Sequence, residues 1–137
     1  MAYNSPSAAG IPGTVAGMIH ALENYGTLDL KTVIQPAIQL AEQGFRVPAA
    51  LHLNLRAATK RLARNEEANR IYLAGTGTAP AMGSLFKQPD LAATLQRIRD
   101  KGTDGFYKGK TAALIVEEMQ ITLESGGSVA GGSTLSL

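Results

Sequence analysis

The chain has 137 residues, 45% of them hydrophobic and 18% charged, with a formal net charge of +2 and no cysteine. This length suits one folded domain with its own core, and the composition argues against intrinsic disorder. The lack of cysteine excludes a disulfide framework, a thiolate nucleophile and a Cys-ligated zinc or iron–sulfur centre, and no apolar run reaches the ~18 residues of a membrane-spanning helix.

Along segment 8–26, Val15, Met18, Ile19, Leu22 and Tyr25 recur every three or four residues and draw one helical face. Gly13 or Thr14 starts this helix, and Gly26 is expected to end it in the left-handed conformation that glycine adopts cheaply. Gly13 and Gly17 clear a stripe for close approach of a neighbouring backbone. Over 27–45, Leu30, Val33, Ile34, Ala37, Ile38 and Ala41 keep helical spacing around Pro36. Proline inside a helix costs ~3 kcal/mol, so two short helices are predicted, the second opened by Pro36 and closed by Gly44. Pro48 opens a longer helix with Leu51, Leu55, Ala58 and Leu62 inward. A short strand is predicted around Ile71-Tyr72-Leu73, and 74–84 reads as loop.

After Pro89 the pattern gives a helix with Leu91, Leu95 and Ile98 inward, stopped by Gly102. Residues 103–109, TDGFYKG, form a tight connection. A last helix covers about 110–123, with Ala112, Ile115, Val116, Met119 and Leu123 in phase. From Ser125 onward SGGSVAGGSTLSL has no periodicity and reads as a flexible tail. The fold class is therefore mainly α: five or six helices over 1–124, then a Gly/Ser-rich tail over 125–137. Composition agrees, because 21 Ala and 16 Leu outweigh 13 Val plus Ile, and unbranched apolar side chains lose little entropy in helices. Ala buries little area, so the core needs close helix packing or surfaces outside the chain.

Motif chemistry nominates no active site. Gly109-Lys110-Thr111 lacks the upstream glycine of a phosphate loop, since Asp104 holds that position, and reads as a helix start with exposed Lys110. GGSVA at 126–130 ends in Ala130 where a nucleophile elbow needs glycine. His20 and His52 are single histidines on separate helices, whereas a metal site needs three or four converging ligands. Arg56, Lys60 and Arg64 form a basic stripe near Arg61 and Arg70 that could meet nucleic-acid phosphates. Glu66 and Glu67 follow directly and no stacking aromatic intervenes, so a solvated face without nucleic acid is the reading. Adjacent Glu117 and Glu118 point ~100° apart and cannot act as one acid–base pair. Asp100 and Asp104 have no nucleophile to serve. Catalytic, substrate-binding and metal-binding residues are accordingly assigned to none of the positions, and no cofactor is implied.

The segments AAGIPGTVAG, NYGTL, QPAIQLAEQGF, KQPDLAATLQRI and GFYKGKTAALIVEEMQ, in this order over about 7–120, resemble the large subunit of gamma-glutamyltranspeptidase (glutathione hydrolase). The resemblance implies an N-terminal-nucleophile hydrolase of αββα architecture, whose precursor cleaves itself. In such enzymes the freed N-terminal Thr, activated by its own α-amine, takes the gamma-glutamyl group from an amide. Water or an acceptor amine then receives it. The family's Thr-Thr-His segment, Ser-Ser-Gly-Gly loop and upstream Arg-Glu motif have no counterpart in this sequence, so no site residue carries over.

The expectation is a helical segment from the middle of the large subunit, inactive alone. Its partners would be the remainder of that subunit, the small subunit and, in the full-length enzyme, glutathione or other gamma-glutamyl compounds. The alternative is a non-catalytic helical interaction module derived from the family. Uncovered helix faces are expected to make the isolated chain self-associate. The compartment stays open: the family is typically periplasmic, secreted or membrane-tethered, while the opening MAYNSPSAAG lacks the charged and apolar regions of a signal peptide.

Overall fold

The chain is represented by a computed structural model that describes residues 10–124. Among the described residues the order is α1 (Thr14–Tyr25), α2 (Leu30–Gln43), β1 (Phe45–Arg46), α3 (Ala49–Leu62), α4 (Glu66–Tyr72), β2 (Leu85–Phe86), α5 (Pro89–Lys101), α6 (Asp104–Tyr107) and α7 (Gly109–Glu124). The fold is mainly α, in line with the Ala- and Leu-rich composition, with α4 and the single-turn α6 added to the helices read from periodicity and the two expected around Pro36 merged into α2. The segment 125–137, read as a tail, lies outside the described residues. The chain divides into two units, one formed by Met1–Lys31 with Arg97–Leu137, the other by Thr32–Gln96.

In the first unit the buried positions are Ile19, Ile98, Gly105, Thr111 and Ala112. Gly105 explains how α5 and α6 meet. A Cβ placed there would lie 2.0 Å from the Arg97 carbonyl oxygen, so only glycine permits this approach. Thr111 lies against the same turn, 5% exposed. Its hydroxyl donates to the Gly105 carbonyl at 2.8 Å and accepts from the Arg97 Nε at 2.8 Å. Both hydrogen-bonding capacities of this buried group are thus used, which offsets its desolvation.

Tyr107, at the end of α6, reaches the start of α1. Its hydroxyl accepts from the Ala16 N–H at 3.1 Å and donates to the Pro12 carbonyl at 2.5 Å. The N-cap residue of α1 is Gly13, which has no side chain to offer. A tyrosine 91 residues downstream therefore satisfies one of the helix's unpaired amides.

In the second unit the buried apolar residues are Ile38, Ala41, Val47, Leu55, Leu73 and Ala92. β1 and β2 pair antiparallel, Phe45 opposite Phe86 and Arg46 opposite Leu85. The ladder is extended by Val47 N–H to the Ser84 carbonyl at 2.9 Å and Gly83 N–H to the Val47 carbonyl at 2.8 Å. Gly44 precedes β1 with φ +86°, and a Cβ there would lie 2.7 Å from the Phe86 carbonyl oxygen. Its predicted role as the stop of α2 holds, and it also admits the ribbon.

Several expectations are corrected. Pro36 lies inside one continuous α2 and does not open a second helix. Ile34, Ile38 and Ala41 stay in phase on the covered side, and their packing outweighs the one backbone bond that proline cannot donate. Residues 71–73 are not a strand: Ile71 and Tyr72 end α4, and Leu73 caps it, fully buried. The cause sits upstream, where the Asn65 Oδ1 accepts from the Ala68 N–H at 2.8 Å and Glu66 and Glu67 occupy the first turn. Gly26 ends α1 in an extended conformation, φ −78°. Glycine is needed there for space, because a Cβ would meet the Leu22 carbonyl oxygen at 2.4 Å. Nothing approaches Gly13 or Gly17. On α5 Ile98 is buried as expected and so is Ala92, while Leu91 is 43% exposed.

Two stability effects follow from this geometry. Tyr107→Phe removes both bonds at the head of α1 and should lower unfolding free energy by about 1 kcal/mol, read from the urea midpoint at unchanged slope. Gly105→Ala should cost about 1–3 kcal/mol or more by overpacking, whereas Gly17→Ala, in open space on α1, should stabilise by about 1 kcal/mol in the same titration.

Candidate functional site

Within the second unit, aromatic residues gather on the β1–β2 ribbon. The Phe45 and Phe86 rings meet edge to face at 5.7 Å, and Tyr72 stacks on Phe86 at 6.5 Å. Beside them lies a cleft of about 420 Å³, lined by residues that include Arg70, Tyr72, Lys87 and Asp90. A smaller groove of about 200 Å³ is lined by Leu40, Phe45, Phe86, Leu91 and their neighbours.

On the charged wall of the larger cleft, Arg70 is matched by carboxylates. The Arg70 guanidinium donates to Glu67 at 2.7 Å and to Asp90 at 2.9 Å. The hydrogen bond to Glu67, then that to Asp90, holds the Arg70 pKa above its ordinary range. This arginine therefore ties α4 to the first turn of α5 and is already occupied by two carboxylates. The groups in the cleft can bind and orient polar matter.

The other residues singled out in the sequence do not converge on a site. Lys110 is exposed at the start of α7, and Gly109, φ +61°, makes the bend before it. Thr111 of the same tripeptide is a buried packing element. The exposed His20 has its Nδ1 3.2 Å from the Asn24 side-chain nitrogen. His52 Nδ1 donates to the Pro80 carbonyl at 2.8 Å and anchors the 74–84 loop. Arg56, Lys60 and Arg64 are exposed, with Leu55 of the same helix buried. Glu117 and Glu118 are exposed on α7.

Asp100 and Asp104 act separately, Asp100 with Arg99 at 2.8 Å and Asp104 with Lys108 at 3.1 Å. The Arg99 hydrogen bond pushes the Asp100 carboxyl below its ordinary value. Among the described residues no group of three or more His, Asp or Glu could hold a metal ion. The GGSVA segment at 126–130 lies outside the described residues.

Sequence reasoning missed the residues that organise each unit. Tyr107 and Phe86 act through partners distant in sequence, which periodicity cannot register. The Asn65 cap was missed as well, although Asn-Glu-Glu ahead of an apolar residue is a local signal that could have found it.

Comparison with known proteins gives the chain its place. The family model described as gamma-glutamyltranspeptidase matches residues 1–133. The glutathione hydrolase proenzyme of Escherichia coli strain K12 is 41% identical over 113 residues, covering 82% of this chain and 20% of that protein. The capsule biosynthesis protein CapD proenzyme of Bacillus anthracis is 37% identical over 121 residues, covering 88% of this chain and 22% of that one. Among solved structures, gamma-glutamyltranspeptidase of Helicobacter pylori superimposes with TM-score 0.84 at 38% identity, over 88% of this chain and 34% of its own. The chain thus spans about a fifth of the length of the curated relatives it matches. With the match running through nearly all of its length, the chain belongs to the gamma-glutamyltranspeptidase family.

Proposed function

We propose that this chain is a helical segment of the large subunit of a gamma-glutamyltransferase/glutathione hydrolase and carries no catalytic group of its own. The observation that carries the reading is the span: nearly the whole chain matches the family, yet it covers about a fifth of each full-length relative. The sequence supports it further, since it contains no adjacent Thr pair to provide the family's nucleophile. In the complete enzyme an N-terminal Thr would attack the gamma-glutamyl amide, form an acyl-enzyme and pass the acyl group to water or an amine. The role left to this segment, taken as residues 1–124, is to pack beside that machinery.

Exposed apolar residues fit such a role. Among the described residues thirteen large hydrophobic side chains are more than a third exposed, against nine buried hydrophobic ones. This excess suits a segment covered by the remainder of the large subunit and by the small subunit. Glutathione or another gamma-glutamyl compound would bind to groups those parts supply.

The test is release of nitroaniline from a gamma-glutamyl nitroanilide by the purified chain, with the E. coli relative as positive control. The expected rate equals that of buffer, and hydrolysis above it would overturn the reading. Reading the DNA that flanks the coding region gives a second check. Codons for Thr-Thr-His downstream in frame support the segment, and a stop with no such codons favours the free-standing helical module.

A further inference from the structure

Charge is unevenly placed along the chain. Residues 43–65 carry Arg46, Arg56, Lys60, Arg61 and Arg64 and not one carboxylate, a local charge of +5 in a chain whose net charge is +2. Arg56, Lys60, Arg61 and Arg64 are exposed, and among the described residues none of these four pairs with a carboxylate, whereas Arg70, Arg99 and Lys108 each do. The helix dipole accounts for Lys60 and Arg61 in the last turn of α3, but Arg56 lies in mid-helix and Arg64 beyond its end. At ~100° per residue, Leu53, Arg56 and Lys60 share an arc of about 60°, and the buried Leu55 lies at least ~100° from either cation. Arg64 continues the row at the same spacing of four residues.

We infer that this face of α3 docks an extended acidic segment of a separate protein, with carboxylates on alternate residues. Charge complementarity sets the sign of the partner, and spacing sets its form. Cations four residues apart on a helix stand about 6 Å apart along its axis. Side chains on one face of an extended chain recur every ~6.6–6.8 Å, a mismatch that long arginine and lysine side chains absorb. Arg56, Lys60 and Arg64 then meet three successive carboxylates, and Leu53, 52% exposed, adds an apolar contact beside the first. Nucleic acid fits less well, because a single strand needs stacking aromatics and α3 has none. A membrane surface needs a broad apolar face beside the charges, and Leu53 is the one large apolar side chain in the arc. The remainder of the family's polypeptide is a poor occupant too, since permanent interfaces exclude charge from their centres and burying these cations is costly. The inference does not depend on whether the chain is catalytically silent, and activity does not enter its test.

The probe is a fluorescent peptide of about ten residues alternating Glu and Thr, titrated with the full chain and read by anisotropy. At about 20 mM salt the expected Kd is about 100 µM or tighter, weakening several-fold near ~150 mM as the charges are screened. Arg56→Glu combined with Lys60→Glu alters exposed positions only, so helical signal should persist while binding weakens at least about tenfold. Lys108→Glu combined with Lys110→Glu makes the same change in net charge elsewhere and should leave binding within about twofold. A peptide of equal composition with its glutamates in one block should bind at least about threefold more weakly, because its carboxylates miss the row. No binding at low salt overturns the proposal. Equal losses in the two charge-reversed variants reduce the effect to net charge and also overturn it. So does a blocked peptide that binds as tightly, or tighter capture of a DNA duplex or of phosphatidylserine vesicles at the same salt. Should the glutamate variant lose helical signal, Arg56→Gln with Lys60→Gln decides, and undiminished binding there overturns the docking face.

Discussion

Gly105 lies so close to the Arg97 carbonyl that no side chain fits between α6 and α5, and the first unit is arranged around that contact. The tight approach sets the single turn Asp104–Tyr107, which turns the Tyr107 hydroxyl onto the head of α1. It also presents the Gly105 carbonyl to Thr111, whose hydroxyl then receives Arg97. One missing methyl group thus couples four helices, α1, α5, α6 and α7, through two hydroxyls. The energies involved are small individually, about 1 kcal/mol for each hydrogen bond. Their value is geometric, since each bond is available only where the glycine contact has already fixed the backbone.

The second unit uses a different device. Two residues per strand cannot stabilise a sheet by themselves. The ribbon is held by its side chains, with Phe45 edge-on to Phe86 and Tyr72 stacked over it, and by the backbone bonds of Val47 to the loop at 83–84. Arg70 with Glu67 and Asp90 adds an exposed clamp between α4 and α5. An exposed ion pair adds little to stability, so the buried Ile38, Val47 and Leu73 carry the packing and the clamp sets orientation. The clamp engages Arg70, one of the two cations that line the cleft with Lys87.

How much of this was legible in the sequence depends on the range of the interaction. Helices marked by local signals emerged close to their observed bounds: α1 between Gly13 and Gly26, α3 after Pro48, α5 from Pro89 to Gly102. Where local preference conflicted with packing, packing won, as at Pro36 inside α2. Residues 71–73 looked strand-like because Ile-Tyr-Leu is apolar and partly branched, but the Asn65 cap upstream had already committed them to helix. The ribbon was invisible because its two strands, Phe45–Arg46 and Leu85–Phe86, are far apart in sequence and too short to leave an alternating pattern. For function, spacing offered no constellation. Family membership was legible only from segments taken together, because PGTVAG or FYKG alone encode capping and turning that many helical proteins share.

The bond from Tyr107 to Pro12 joins residues 95 positions apart, and this has a consequence for the order in which the chain can be made. During synthesis α1 emerges first, with a glycine at its head and no side chain to close its first turn. At ~5–20 residues per second, its cap follows on the order of 10 s later. In that interval all of Thr32–Gln96 has been completed, so the second unit can settle while α1 waits. The first helix of this segment therefore gains its tyrosine cap only after the polypeptide up to residue 107 has been made.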